Sequence, residues 1–115
     1  MAVTLYHNPR CSKSREALAL LHEKGVEPEI VEYLKTPPDA ATLRLLLGML
    51  KLRPRDLMRK KEPEYKELGL DNPDLSDDQL ISAMVAHPRL IERPIAVSGK
   101  TAALGRPPED VLSIL

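Results

Sequence analysis

The chemistry-bearing stretch of the sequence is His7-Asn8-Pro9-Arg10-Cys11-Ser12-Lys13-Ser14-Arg15, which holds the only cysteine of 115 residues. It follows the apolar run Val3 to Tyr6 and leads into a helical pattern from Glu16 to Lys24. A strand that stops at Asn-Pro and restarts as a helix leaves the first-turn N–H groups unpaired near Cys11, and such donors attract anions. Their partial positive charge, with Arg10, Lys13 and Arg15 nearby, favours thiolate over thiol and makes Cys11 a candidate nucleophile. The competing reading is an inert thiol filling a core, and the cations and serines around Cys11 argue against it. His7 either tunes Cys11 from four positions away or simply ends a strand.

The elements that must position this loop follow from periodicity and punctuation. Ala2 to Tyr6 reads as a short buried strand. The helix after it places Ala17, Leu18, Leu20 and Leu21 broadly on one face and stops at Gly25. Pro28 opens a second strand, Glu29 to Leu34, closed by Thr36-Pro37-Pro38. These three elements form a βαβ unit with parallel strands. Residues 36–88 then turn helical and charged. Thr36 is an N-cap candidate for a helix bearing Leu43, Leu46, Leu47 and Leu50, a shorter turn starts at Pro54, and Ser76-Asp77-Asp78-Gln79 is a capping box for a helix that Pro88 ends. Lys60, Lys61 and Lys66 read as a solvated face. A hairpin follows, Pro94 to Val97 and Thr101 to Leu104 about a Ser98-Gly99-Lys100 turn, and a last helix starts within Gly105 to Asp110. The expected fold class is α/β: a thioredoxin-like βαβ…ββα mixed sheet with a helical insertion between the halves, in one domain spanning 1–115.

Composition bounds the function. Without Trp or Phe, the core must be aliphatic. Seventeen basic and seventeen acidic side chains give a formal net charge of zero, so no global field exists for nucleic acid and any anion site must be local. A single cysteine excludes an internal disulfide and a multi-cysteine metal cage, and His7 with Cys11 lacks further ligands at metal-binding spacing. No signal-peptide pattern and no membrane-length apolar run is present, so a cytoplasmic protein, monomeric and free of membranes, is expected.

The residues resemble the glutaredoxin-dependent arsenate reductases of the ArsC type. The resemblance rests on Tyr6-His7-Asn8-Pro9, Ser14-Arg15, Leu57-Met58-Arg59-Lys60, Leu68-Gly69-Leu70, Asp78-Gln79-Leu80-Ile81, His87-Pro88, Arg93-Pro94-Ile95 and Arg106-Pro107, anchors dispersed over essentially the whole chain. It implies that Cys11 attacks arsenate or a similar oxyanion while Arg59, Arg93 and Arg106 bind it, with His7, Ser14, Arg15 and Pro94 in support. It also implies a cis-proline step at Arg93-Pro94. The sequence departs from the well-understood members by carrying Ser12-Lys13 where they have Gly-Thr. No bound cofactor is expected. With no second cysteine, the reducing equivalents must come from outside thiols, and the resemblance names glutathione as co-substrate and glutaredoxin as partner.

Three other readings compete. One is a general glutathione-linked thiol transferase, or a reductase of another oxyanion. A phosphatase needs its cysteine and arginine set further apart to wrap a phosphate than Cys11 and Arg15 are. The third is a redox-independent regulatory binding module akin to the thioredoxin-like regulators that bind RNA polymerase; those sense redox state through Cys-x-x-Cys, and here Ser14 stands in the second position and cannot close that disulfide. For Arg59, Arg93 and Arg106 the bland alternative is surface ion pairing.

Overall fold

The computed structural model describes residues 2–115, which group into two compact units. One runs from the N-terminal segment through Thr36 and resumes at Arg93–Leu115; the other is Pro37–Glu92.

The first unit is built on a four-stranded sheet. Strand β1 is Val3–His7, helix α1 Ser12–Glu23, strand β2 Glu29–Glu32, and the hairpin strands β3 and β4 are Ile95–Ser98 and Thr101–Leu104. The sheet order is β2-β1-β3-β4, with β1 parallel to β2, antiparallel to β3, and β3 antiparallel to β4. Strand β1 alternates between buried and half-buried residues, as a strand paired on both edges does when its two faces differ in cover. Its Val3 and Leu5 join Ala17 and Leu21 of α1, Ala96, Ala103, Val111 and Ile114 in an aliphatic core. Gly25 closes α1 at φ +75°, donating its N–H to His22 O at 2.9 Å, the left-handed stop for which glycine has no steric penalty.

Parts of this unit differ from the sequence expectation. Strand β2 ends at Glu32 instead of Leu34, because the chain turns there and Lys35 and Thr36 both donate backbone hydrogen bonds to Glu32 O. The last element is a 3₁₀ helix, Pro108–Ile114, packed against α1, β3 and β4.

The second unit holds α2 (Ala40–Leu50), the short α3 (Pro63–Glu67) and α4 (Asp77–Ala86), with 3₁₀ turns at Pro54–Leu57 and Pro88–Leu90. Helix α2 is capped by Asp39, which accepts from Thr42 N–H at 2.8 Å, so the N-cap is not Thr36: two consecutive prolines follow Thr36, and the helix begins only after them. Helix α4 carries the expected capping box, Gln79 N–H to Ser76 Oγ at 3.2 Å and Ser76 N–H to Gln79 Oε1 at 2.8 Å. Leu43, Leu46, Leu47, Leu80, Ile81 and Met84 fill the interior, and Lys60, Lys61 and Lys66 are exposed. A short antiparallel bridge pairs Met58 with Ile91. No helix among the described residues is long and apolar enough to cross a membrane.

Candidate active site

Cys11 is the N-cap of α1, with extended backbone (φ −94°, ψ 124°), so the helix starts at Ser12, four residues before the Glu16 start expected from the sequence. Its own N–H donates to Asn8 O at 3.0 Å, and its carbonyl accepts from Arg15 N–H at 3.0 Å. Asn8 organises the turn further: its Oδ1 accepts from Arg10 N–H at 3.0 Å, the side-chain-to-backbone bond that makes asparagine a turn former. The loop is thus closed on itself before any ligand arrives.

The Cys11 thiol is half-buried, and its pKa is lowered. Burial pushes it up, but the Ser14 N–H, the Arg93 guanidinium by hydrogen bond and by charge, and the Lys13 N–H together outweigh that effect. The first-turn amides expected from the strand-to-helix junction therefore do stabilise the thiolate. The cation is a different one from those expected. Arg10, Lys13 and Arg15 project into solvent, and the charge at the sulfur comes from Arg93. Successive helix residues point about 100° apart, so neighbours of Cys11 in sequence turn away from it. Arg15 instead ties down the loop, donating from Nη1 to Pro9 O at 2.9 Å.

Ser14, fully buried, sits between the loop and β1. Its Oγ accepts from Asn8 N–H at 3.1 Å and lies 2.9 Å from His7 Nδ1. His7 is buried at the end of β1, and its pKa is lowered, first by burial and also by the Arg15 charge, against an opposing pull from Glu32. A neutral imidazole sharing the Ser14 proton fits that environment. A cavity of about 250 Å³ opens beside His7, Asn8, Pro9 and Arg10 and extends to Glu32, Leu34 and Lys35.

Arg93 and Pro94 immediately precede β3. The Arg93-Pro94 peptide is cis, as the resemblance implied, and Arg106-Pro107 is cis as well, which nothing in the local sequence signals. Arg93 Nε is buried and has no hydrogen-bond partner among the described residues, a donor available to an oxyanion. Arg106 is exposed, and its segment is held to Pro94: Gly105 N–H donates to Pro94 O at 2.8 Å, and Arg106 N–H to Leu104 O at 2.9 Å. Gly105 is a residue that sequence reasoning missed. A Cβ there would meet Pro94 Cγ at 2.6 Å, so only glycine lets this segment lie against the Pro94 ring. In the other unit, Arg59 is part of an ion-pair cluster, bonded to Glu62 through Nη1 and 3.8 Å from Glu92 through Nε. Among the described residues no group of three or more His, Cys, Asp or Glu is placed to hold a metal ion.

The site thus unites Cys11, Arg93, Ser14 and His7 on one sheet end, an arrangement suited to a thiolate nucleophile beside an anion. Known proteins resemble the chain over its whole length. A protein of Escherichia coli K12 named YfgD and described as uncharacterized is 60% identical over 98% of this chain and 96% of its own length. An arsenate reductase of Neisseria meningitidis serogroup A is 50% identical over 98% of this chain and 97% of its own. The solved structure of an arsenate reductase from Vibrio cholerae superposes with a TM-score of 0.98 at 53% identity, covering 100% of this chain and 98% of that one. The fold is therefore the thioredoxin-like mixed α/β architecture of those structures, with its open four-stranded sheet. The sequence signature of the ArsC family matches residues 6–114, and the chain belongs to that family.

Proposed function

We propose that this protein reduces arsenate to arsenite, with Cys11 as the nucleophile and external thiols as the source of electrons. The observation that carries this reading is the stabilised Cys11 thiolate, held by the Ser14 and Lys13 amides and by Arg93. A thiolate at an anion-binding helix terminus can receive an oxyanion and attack it in one place. Relatives of about half-identical sequence that bear the name arsenate reductase support arsenate as the substrate.

In the proposed cycle the Cys11 thiolate forms an S–As bond and one arsenate oxygen leaves as water. Glutathione thiolate then attacks the Cys11 sulfur: the S–As electron pair goes to arsenic, As(V) becomes As(III), and a Cys11–glutathione disulfide remains. Glutaredoxin thiolate takes the glutathione and returns Cys11 to its thiolate. Arg93 and Arg106, with Arg59 as the third, neutralise the oxyanion; their planar guanidiniums match its oxygens in pairs. The solitary cysteine requires this intermolecular chemistry. It also suits a monomer working in a reducing compartment such as the cytoplasm.

The test is arsenite release with arsenate, glutathione and glutaredoxin, each thiol component then omitted in turn, beside Cys11→Ser. The reading expects no turnover in the variant and accumulation of a Cys11–glutathione disulfide when glutaredoxin is left out. Substantial turnover by Cys11→Ser, or glutathionylation equally fast without arsenate, would overturn it, the second outcome favouring a general thiol transferase.

A further inference from the structure

Arg10, Lys13 and Arg15 give the loop its positive charge in sequence, yet none of them supplies the charge at the Cys11 sulfur. Arg10 has a different setting. It lines the cavity of about 250 Å³ that extends from Pro9 to Leu34 and Lys35. Its N–H is bonded to Asn8 Oδ1, which holds its backbone in the turn while its side chain is exposed. Lys35 is the second cation of the cavity. Its Nζ lies 3.6 Å from Glu32 Oε1, but the two side chains are 78% and 40% exposed, so water screens the pair and leaves Lys35 open to another anion. Leu34 lines the same cavity and is 39% exposed, an apolar surface beside the charges. With Arg10 and Lys35 against Glu32, the charged lining is positive in excess. All of these residues belong to the sheet unit.

The cavity and the sulfur flank the end of β1. Cys11 receives Arg93, which leads into β3, while the cavity reaches Glu32, the last residue of β2, and β1 lies between those two strands. Adjacent strands stand about 4.8 Å apart, and a peptide of three residues spans about 10 Å when extended. A thiol whose sulfur meets Cys11 and whose charged ends lie in the cavity therefore needs the reach of a short peptide, with carboxylates to match Arg10 and Lys35. We propose that this cavity is the subsite for the carboxylate arms of a peptide thiol that reacts at Cys11, with Arg10 and Lys35 binding those arms. The inference rests on the reading that an external thiol meets Cys11, and it names the class of that thiol by its charge and length.

The experiment follows mixed-disulfide formation on Cys11 of the full chain by intact-protein mass spectrometry, at one pH and ionic strength and without arsenate. The probes are glutathione disulfide, the disulfide of mercaptoacetate, and hydroxyethyl disulfide. In each exchange the Cys11 thiolate forms a new S–S bond, the probe's own S–S bond breaks, and its other half leaves as a thiolate. The first two probes carry the same net charge near neutral pH, but only the peptide holds its carboxylates far enough from sulfur to reach the cavity. The third is neutral and reports the reactivity of the thiolate itself. Arg10→Met and Lys35→Met should each slow glutathione disulfide on the order of threefold relative to hydroxyethyl disulfide, and together on the order of tenfold. The mercaptoacetate probe should keep its ratio to hydroxyethyl disulfide in every variant. Equal slowing of both anionic probes would overturn the proposal, because it reveals a general field at the sulfur. If the native protein forms a mixed disulfide with none of the probes, the reading that Cys11 meets external thiols fails and this proposal with it. If all three probes react and the variants do not discriminate among them, only the cavity assignment falls.

Discussion

Arg93, eighty-two positions from Cys11 in the sequence, supplies the charge at its sulfur. Replacing it by methionine keeps the length and removes both the charge and the donor. A charge-assisted hydrogen bond contributes about 1.5–3 kcal/mol, and one pKa unit corresponds to about 1.4 kcal/mol, so the full loss would raise the Cys11 pKa by about 1–2 units. Cys11 is partly open to solvent, and screening favours the lower end, about one unit. The sign is upward, since losing a cation disfavours the thiolate. Iodoacetamide alkylation as a function of pH reads it directly: the inflection for the native protein should lie below that of an unperturbed thiol, and Arg93→Met should move it up by about one unit. Below the native inflection the alkylation rate should then fall about tenfold. Arg93→Lys should recover part of the shift, a point charge replacing the fork. Arg10→Met, Lys13→Met and Arg15→Met should move the inflection far less. An unmoved inflection in Arg93→Met, with circular dichroism showing the fold intact, would refute the assignment. So would a shift of equal size from Lys13→Met.

Two further outcomes follow from the packing around the site. His7 has a lowered pKa, so below about pH 6.5 the unfolded chain binds a proton that the folded chain refuses, and stability contributed above that pH is lost as pH falls toward the folded pKa; the slope is at most about 1.4 kcal/mol per pH unit. Urea midpoints between neutral and mildly acidic pH should drop less for His7→Gln than for the native chain, and equal drops would remove His7 as the source. Gly105→Ala would drive a methyl into the Pro94 ring and Val111, and should cost about 1–3 kcal/mol in chemical denaturation together with a loss of anion protection at Cys11; an unchanged midpoint would show that the segment yields freely.

The local features of the molecule were legible because they depend on short-range backbone bonding and side-chain period. The Asn8-Pro9 break, the amides facing Cys11, the Gly25 stop, the Ser76 capping box and the hairpin about Gly99 each arise within a few residues of chain. The boundary errors came from the same range: the prolines after Thr36 moved the cap to Asp39, and the turn at Tyr33 cut β2 short. The expectation that Arg59, Arg93 and Arg106 bind the oxyanion rests instead on resemblance, since no local rule distinguishes them from the other arginines.

Only the tertiary structure decided which groups act on one another. Lys13 and Arg15 flank Ser14 in sequence, yet Ser14 is buried against His7 while both cations face solvent, because the helix turns each residue about 100° from the last. Arg93 reaches Cys11 because β3 lies beside β1 in the sheet. Gly105 matters because the end of β4 passes over Pro94, and Arg59 meets Glu92 because a short bridge pairs segments more than thirty residues apart. The sequence by itself determined that the cysteine sits at a helix entrance; strand pairing and helix rotation determined which charges surround it.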